Sequence, residues 1–316
     1  MRVRSSNYRS KNNGSGLERK PAYLAIPENE FLKRVDMLKK MMKSCTICPR
    51  NCRVDRLTGI KGQCGAAGEI IISSIGPHFG EEKELVGSGG SGTIFFTNCN
   101  LECVYCQNWT ISRGEERGAL FSEDELAEAM LSLQKRGCSN INLVSPTPYL
   151  YGIVMSLFEA TKKGLSIPLV YNCGGYESLN SLKLLEGLVD IYMPDAKYAS
   201  DEEGRLYSGI DDYFTRLREA LKEMQRQVGD LETGIDGLAY KGLLIRHLVL
   251  PGNVAGSEKM ARFLKDEISP NCAVNVMAQY YPAYLAGQYP VLNRRITSSE
   301  YSKARKAFTE KGLRLL

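Results

Sequence analysis

Cys99, Cys103 and Cys106 stand at the spacing C-x-x-x-C-x-x-C within Thr97-Asn98-Cys99-Asn100-Leu101-Glu102-Cys103-Val104-Tyr105-Cys106-Gln107-Asn108-Trp109. Each iron of a four-iron, four-sulfide cube takes one outside ligand, usually a cysteine thiolate. Three clustered cysteines leave one iron open, and an open coordination position is where a metal centre does chemistry rather than hold structure. A structural zinc site asks for four ligands, commonly two C-x-x-C knuckles, which this loop does not supply.

A second set lies upstream: Cys45, Cys48 and Cys52 in Cys45-Thr46-Ile47-Cys48-Pro49-Arg50-Asn51-Cys52, then Cys64 between glycines in Gly62-Gln63-Cys64-Gly65. Four thiolates make a complete ligand set, and the glycines let the backbone turn tightly around it. Zinc, held as a closed structural ion, and an auxiliary iron–sulfur cluster both satisfy this pattern. Cys138 and Cys272 show no ligand spacing and read as core. Cys173 falls beside the expected site and reads as a small core filler. With histidine at positions 78 and 247 alone, a histidine-based hydrolytic triad is excluded. The glycine run 87–92 looks like a phosphate cradle but precedes a strand and lacks the Lys-Ser/Thr of a P-loop. It reads as a mobile entry to that strand.

The elements that must position the cysteines follow from periodicity. Phe31, Leu32, Val35, Leu38, Met41 and Met42 form one face of a helix over Glu28–Lys43. A short strand is expected near Ile70–Ile75. From Thr93 onward short apolar strands (Thr93–Thr97, Asn140–Ser145, Pro168–Asn172, Asp190–Met193, Leu243–Leu250 and Ala273–Ala278) alternate with helical patterns, among them Tyr149–Lys163, Tyr176–Glu186, Tyr213–Val228, Ser257–Lys265 and Ser299–Lys311. Ser122 and Glu125 form a capping box that opens the first of these helices, and Gly137 closes it. Such strands suit a parallel sheet buried on both faces. Six alternations predict an α/β fold, a partial (β/α)6 barrel of TIM type, with an N-terminal cysteine-rich extension. Right-handed crossovers place all strand C-termini on one rim, and the Cys99 loop follows the first strand onto it. The expected organisation is a disordered basic tail over 1–27, a helix plus metal-binding extension over 28–85, and the barrel over 86–316.

The cysteine loop, the strand before it, Met193-Pro194-Asp195-Ala196-Lys197 and Ile245-Arg246-His247-Leu248-Val249-Leu250-Pro251-Gly252 together resemble the radical S-adenosylmethionine superfamily. Within it they resemble the pyruvate formate-lyase activating enzymes. Arg226-Gln227-Val228-Gly229-Asp230-Leu231 and the upstream cysteines point to a branch of that group; the link 226–242, with Gly229, Gly234, Gly237 and Gly242, reads as an ordered lid or a loose loop, and the resemblance favours the lid. The resemblance implies a 4Fe–4S cluster, S-adenosylmethionine chelated at the open iron, and a 5′-deoxyadenosyl radical that abstracts hydrogen. It implies an electron donor such as flavodoxin or ferredoxin, and a glycyl radical enzyme as partner. Tyr105 is then the aromatic beside the adenine. Ser145 and Thr147 stand where relatives carry Gly-Gly-Glu, and offer oxygens but no charge. Asn172 stands where activating enzymes carry an acid, and Asp195 and Lys197 correspond to their Asp-Leu-Lys. Arg246, amid apolar residues, needs a partner whatever the family; the resemblance supplies the methionyl carboxylate. His247 alternates to the opposite face and reads as a core histidine. A small-molecule or other protein substrate, and a non-enzymatic metal-binding module, are the alternatives.

The formal charge is +5, and residues 1–20 account for it: Arg2, Arg4, Arg9, Lys11, Arg19 and Lys20 against Glu18. The rest is near neutral, which argues against a nucleic-acid surface. No membrane span or secretory leader is expected. Ten cysteines at metal-ligand spacings in a long chain point to a reducing cytoplasm rather than a disulfide framework.

Overall fold

The computed structural model describes residues 20–114 and 118–316. The strands are β1 (Ile70–His78), β2 (Ser91–Phe96), β3 (Ala119–Phe121), β4 (Ile141–Val144), β5 (Leu169–Cys173), β6 (Ile191–Pro194), β7 (Glu232–Thr233), β8 (Ala239–Leu248), β9 (Ala273–Met277) and β10 (Arg314–Leu315). Strands β2, β4, β5, β6, β8, β9 and β10 pair in that order, all parallel. The first six are the six expected strands. Ile141, Leu143, Val170, Ile191, Leu244 and Ile245 are completely buried, as strands covered on both faces require.

Two antiparallel strands extend the sheet past β2: β1 pairs with β2, and β3 with β1. The expected short strand near Ile70–Ile75 therefore runs on to His78. The helices fall close to their periodic patterns. Glu28–Lys43 and Tyr213–Val228 match to the residue, and Ser122 and Glu125 close their capping box. A second box, Thr297 with Glu300, opens the last helix, Ser298–Glu310. A helix over Asp201–Ser208 was not evident from periodicity.

Three expectations are corrected. The tail expected over 1–27 ends sooner. Ala22–Ala25 form a 3-10 turn, Tyr23 is buried with its hydroxyl donating to Ile167 O at 2.6 Å, and Ala22 N donates to Asp190 at 2.7 Å. The remainder of that tail, 1–19, lies outside the described residues. The glycine run is a packing seam rather than a mobile entry. A Cβ at Gly89 would lie 1.8 Å from Gly137 O, and one at Gly92 would lie 2.7 Å from Asn140 O, so only glycine lets these backbones meet. The glycine-rich link 226–242, expected to be a lid or a loose loop, is an ordered lead-in: β7 pairs antiparallel with the start of β8. That is the strand end opposite the active rim, so this link covers no part of the site.

Among the described residues no helix is long and apolar enough to cross a membrane.

Candidate active site

The strand C-termini converge on a cleft of about 460 Å³. Cys99, Cys103 and Cys106 open onto it together, from the loop that leaves β2. The loop is held from outside. Arg113 donates to Leu101 O, and to Cys99 O at 3.4 Å. Glu102 N and Val104 N donate to Ser208 O and Tyr207 O at 3.2 and 2.9 Å. The sulfurs have polar company: Leu101 N donates to Cys99 at 3.5 Å, Cys103 lies 3.0 Å from Ser208 Oγ, and Cys106 lies 3.3 Å from Ser112 Oγ. Burial pushes the Cys99 thiol up to about 12, and also raises Cys103. A bound metal reverses this by holding each sulfur as thiolate. Three thiols on one cleft that also has room for a small ligand fit a cluster with one open iron.

The cleft brings together most of the residues expected there. Tyr105 is buried, with its ring wedged edge-on between Tyr198 and Tyr280 at centroid distances of 6.2 and 5.9 Å. Ser145 ends β4 with φ 57°, a left-handed turn that bends the chain at the rim. Its N–H donates to Asn172 O at 2.9 Å, tying two rim positions together. Asp195 and Lys197 form an ion pair at 2.7 Å facing the cleft. Burial alone would pull the Lys197 ammonium down, but Asp195 and the nearby sulfur hold it charged. Cys173, expected as filler, is buried yet borders the cleft.

Thr147 and Arg246 depart from expectation. Thr147 does not face the cleft. It turns away from the rim, donates to Glu177 at 2.8 Å and lines the upstream cysteine pocket. Arg246 does border the cleft, but its guanidinium is already engaged. Nε donates to Glu82 at 2.8 Å and Nη2 donates to Glu82 at 2.7 Å and to Glu81. Asn275 of β9 also donates to Glu82, at 2.7 Å. Burial alone would raise the Glu82 carboxyl, yet the Arg246 guanidinium holds it below its usual range. The segment after β1 thus crosses the barrel opening and ties β8 to β9, forming the cleft floor. Glu81, Glu82 and Asn275 were missed in the sequence. The available signal was Arg246 itself, a buried cation in want of an anion. His247 is the core histidine expected. It is fully buried between Ala196 O and Ser257 Oγ at 2.8 and 2.9 Å, and burial lowers it to about 4.

Cys45, Cys48, Cys52 and Cys64 also come together, around a small pocket of about 10 Å³ shared with Arg50, Arg56, Asn100, Thr147 and Pro148. A Cβ at Gly62 would lie 3.2 Å from the Cys52 sulfur and 3.5 Å from that of Cys64. Arg56 is 1% exposed and donates to two neutral acceptors, Ala67 O at 2.6 Å and Pro148 O at 2.5 Å. No carboxylate among the described residues pairs with it. A buried cation without an anion is costly. The pocket's thiols are the candidate counter-charge, and Arg56 pulls against the burial that raises Cys45. Arg50 Nη2 is likewise buried without a hydrogen-bond acceptor. Four thiolates around a divalent ion, or around a four-iron cube carrying two positive charges, leave a net charge of about −2. The fully buried Arg56 offsets part of it, whereas Arg50 is half-buried and already lies 3.7 Å from Glu102. Among the described residues no group of three or more metal-ligating side chains, at either set, is drawn as close as a single ion demands. At the second set, binding a lone ion would draw the sulfurs inward.

Comparison with known proteins agrees with this architecture. Residues 93–264 match the family model of the radical SAM superfamily. Over 280 residues the chain is 34% identical to the uncharacterized protein MJ0674 of Methanocaldococcus jannaschii, covering 86% of this chain and 76% of that one. Among solved structures, it is similar to a radical SAM methyltransferase from Sphaerobacter thermophilus, at 13% identity and a TM-score of 0.47, covering 77% of this chain and 76% of that one. It is also similar to Streptococcus suis SuiB bound to its precursor peptide SuiA, at 8% identity and a TM-score of 0.45, covering 69% and 46%. The family match over more than half its length, and the long relative, make this chain a member of the radical SAM superfamily, which implies a 4Fe–4S cluster and S-adenosylmethionine.

Proposed function

We propose that this radical SAM enzyme abstracts a hydrogen atom from a protein backbone, activating a glycyl radical enzyme. The observation that supports hydrogen abstraction is the opening of Cys99, Cys103 and Cys106, three thiols without a fourth from their own loop, onto one ligand-sized cleft. Cys99, Cys103 and Cys106 would hold the cluster, which, given one electron by a donor such as flavodoxin or ferredoxin, would supply the reductive cleavage of S-adenosylmethionine that hydrogen abstraction needs. The rest of the work belongs to the chain. Tyr105, held by two tyrosines, offers the adenine a fixed aromatic edge. Asn172 and Ser145 offer polar groups at the rim. The Asp195–Lys197 pair presents one acceptor and one donor to the amino-acid end of the ligand. Arg246 does not reach that end as a free cation. With Glu81 and Glu82 it makes a floor of net charge −1, which suits a ligand whose own net charge is +1. The activating role rests on the sequence resemblance of the segments 193–197 and 245–252.

We further propose that Cys45, Cys48, Cys52 and Cys64 hold a second metal centre, zinc or an iron–sulfur cluster. Its support is the buried Arg56 without a carboxylate partner.

The reaction is tested anaerobically. Reconstituted, reduced protein is mixed with S-adenosylmethionine and a glycyl radical enzyme from the same genome. Production of 5′-deoxyadenosine with a glycyl-type doublet in electron paramagnetic resonance supports activation. 5′-Deoxyadenosine without that doublet, together with hydrogen loss from a small molecule when cell extract is supplied in place of the partner enzyme, replaces it with a small-molecule reaction. No 5′-deoxyadenosine with both centres filled overturns the reading.

A further inference from the structure

The two cysteine loops touch, and they do so on both sides of Cys99. On one side stands Asn98, whose side chain packs against Gly65, the residue after Cys64. A Cβ at Gly65 would lie 2.6 Å from Asn98 Oδ1, and Gly65 itself sits at φ +84°. On the other side stands Asn100, whose carbonyl receives Arg50 Nε at 2.6 Å. Arg50 lies between Cys48 and Cys52. The same guanidinium reaches Gln63, the neighbour of Cys64, at 3.4 Å, and lies 3.7 Å from Glu102. It therefore bridges both halves of the upstream ligand loop and the backbone beside Cys99. Arg113 holds the adjoining carbonyls of Cys99 and Leu101 and lies 3.7 Å from the same Glu102 oxygen. The Asn100 side chain itself lines the upstream pocket and donates to Tyr176 O at 2.7 Å.

The upstream loop needs something to hold this shape. Asn51 and Arg53 flank Cys52 at φ 45° and 59°, the left-handed region that costs a residue with a Cβ on the order of 1 kcal/mol or more. The backbone bonds over it are few: Asn51 N to Cys48 O at 3.1 Å, Arg53 N to Cys45 O at 3.1 Å and Cys45 N to Val54 O at 2.9 Å. Four sulfurs tied to one centre would over-determine those turns.

We infer that occupancy of the upstream cysteine pocket governs the S-adenosylmethionine cluster, with Arg50 and Gly65 as the mechanical link. A centre bound by Cys45, Cys48, Cys52 and Cys64 fixes the loop. Arg50 and Gly65 then fix Asn100 and Asn98, and so the position of Cys99 and the iron it carries. This rests on the second metal site proposed above. Arg50 is a positioning residue in this scheme, acting through backbone on a cluster it does not touch. The arrangement makes the enzyme responsive to metal or iron–sulfur supply, because loss of the upstream centre loosens one of three ligands to the reactive cluster.

The test compares wild type, Arg50→Met and Arg50→Lys, each reconstituted anaerobically. Metal and sulfide are counted, S-adenosylmethionine binding is titrated, and the reduced cluster's paramagnetic resonance spectrum is recorded with and without the ligand. Arg50→Met is expected to keep the upstream metal, to bind S-adenosylmethionine at least tenfold more weakly and to show shifted g-values. Arg50→Lys, which keeps a donor and a charge, should recover part of both. Unchanged affinity and spectrum in Arg50→Met with both centres filled overturn the coupling while leaving the second site standing. Absence of upstream metal in wild type overturns the second-site reading and the coupling with it. If Arg50→Met assembles neither centre, Gly65→Ala replaces it: its new methyl presses on Asn98 and must produce the same spectral shift or the link is refuted.

Discussion

The loop of Cys99, Cys103 and Cys106 and the loop of Cys45, Cys48, Cys52 and Cys64 meet across Asn98 and Asn100, yet their surroundings are opposite. The first opens onto a cleft of about 460 Å³ lined by groups of both charges and by hydroxyl and amide side chains. The second has room for only about 10 Å³, and the charged groups that border it are two arginines. Both sets are thiols in largely buried positions, so burial alone does not distinguish them. The difference lies in what else must fit. An open iron needs space for a ligand and groups to orient it, whereas a saturated centre needs only its charge matched and water kept out. In the coupling proposed above, the upstream centre acts as a brace for the open one.

The largest effect should come from removing the open set. Cys99, Cys103 and Cys106 changed together to alanine should abolish S-adenosylmethionine cleavage, measured as 5′-deoxyadenosine, while the upstream centre keeps its metal. Loss of both metals at once would show that the sets do not fill separately.

Arg246→Leu comes next. It strips the counter-ion from Glu81 and Glu82, two buried carboxylates, and should cost about 3–5 kcal/mol of stability in denaturant unfolding at neutral pH. The deficit should shrink in acid, as the Glu82 carboxyl, which Arg246 holds below its usual range, protonates. A loss confined to S-adenosylmethionine affinity, with stability unchanged, would return Arg246 to the ligand.

Between the two sites lies Glu177, 2% exposed, receiving bonds from Thr147 and Tyr171 at 2.8 and 3.1 Å. Burial raises its carboxyl to about 7, against an ordinary value of 4.5. The folded state therefore binds the proton more tightly than the unfolded one. Its stabilising share is full below about pH 4.5 and is lost as pH rises through about 7. Glu177→Gln keeps the shape without the ionisation. Its stability should equal wild type near pH 4.5 and exceed it by about 3 kcal/mol at pH 8. A difference independent of pH would contradict this.

The smallest expected effect separates the pockets by charge. Arg56→Met should destabilise the metal-loaded protein by about 1.5–3 kcal/mol, from lost charge-assisted bonds. After chelation the shift should be smaller, because a guanidinium without its anion is itself a burden. Equal shifts with and without metal would mean that Arg56 serves the two carbonyls alone.

The cysteine spacings, the six parallel strands and the two helices that match to the residue were all legible in the chain, because ligand number and hydrophobic period are local properties. So was the core role of His247, from alternation within one strand. The partner of Arg246 was not legible, since Glu81 and Glu82 lie about 165 residues away and reach it only because the segment after β1 crosses the open barrel. Thr147 was placed at the cleft by its position after β4, and only the left-handed turn at Ser145 with the buried Glu177 shows that it faces the other pocket. The glycines at 89 and 92 signalled close approach, but whether to a ligand or to Gly137 and Asn140 depended on the packing of distant chain. The chain announces two cysteine loops through residue type and interval; that they share a wall, with Cys99 held through both of its neighbours, is decided by long-range contacts that no local pattern encodes.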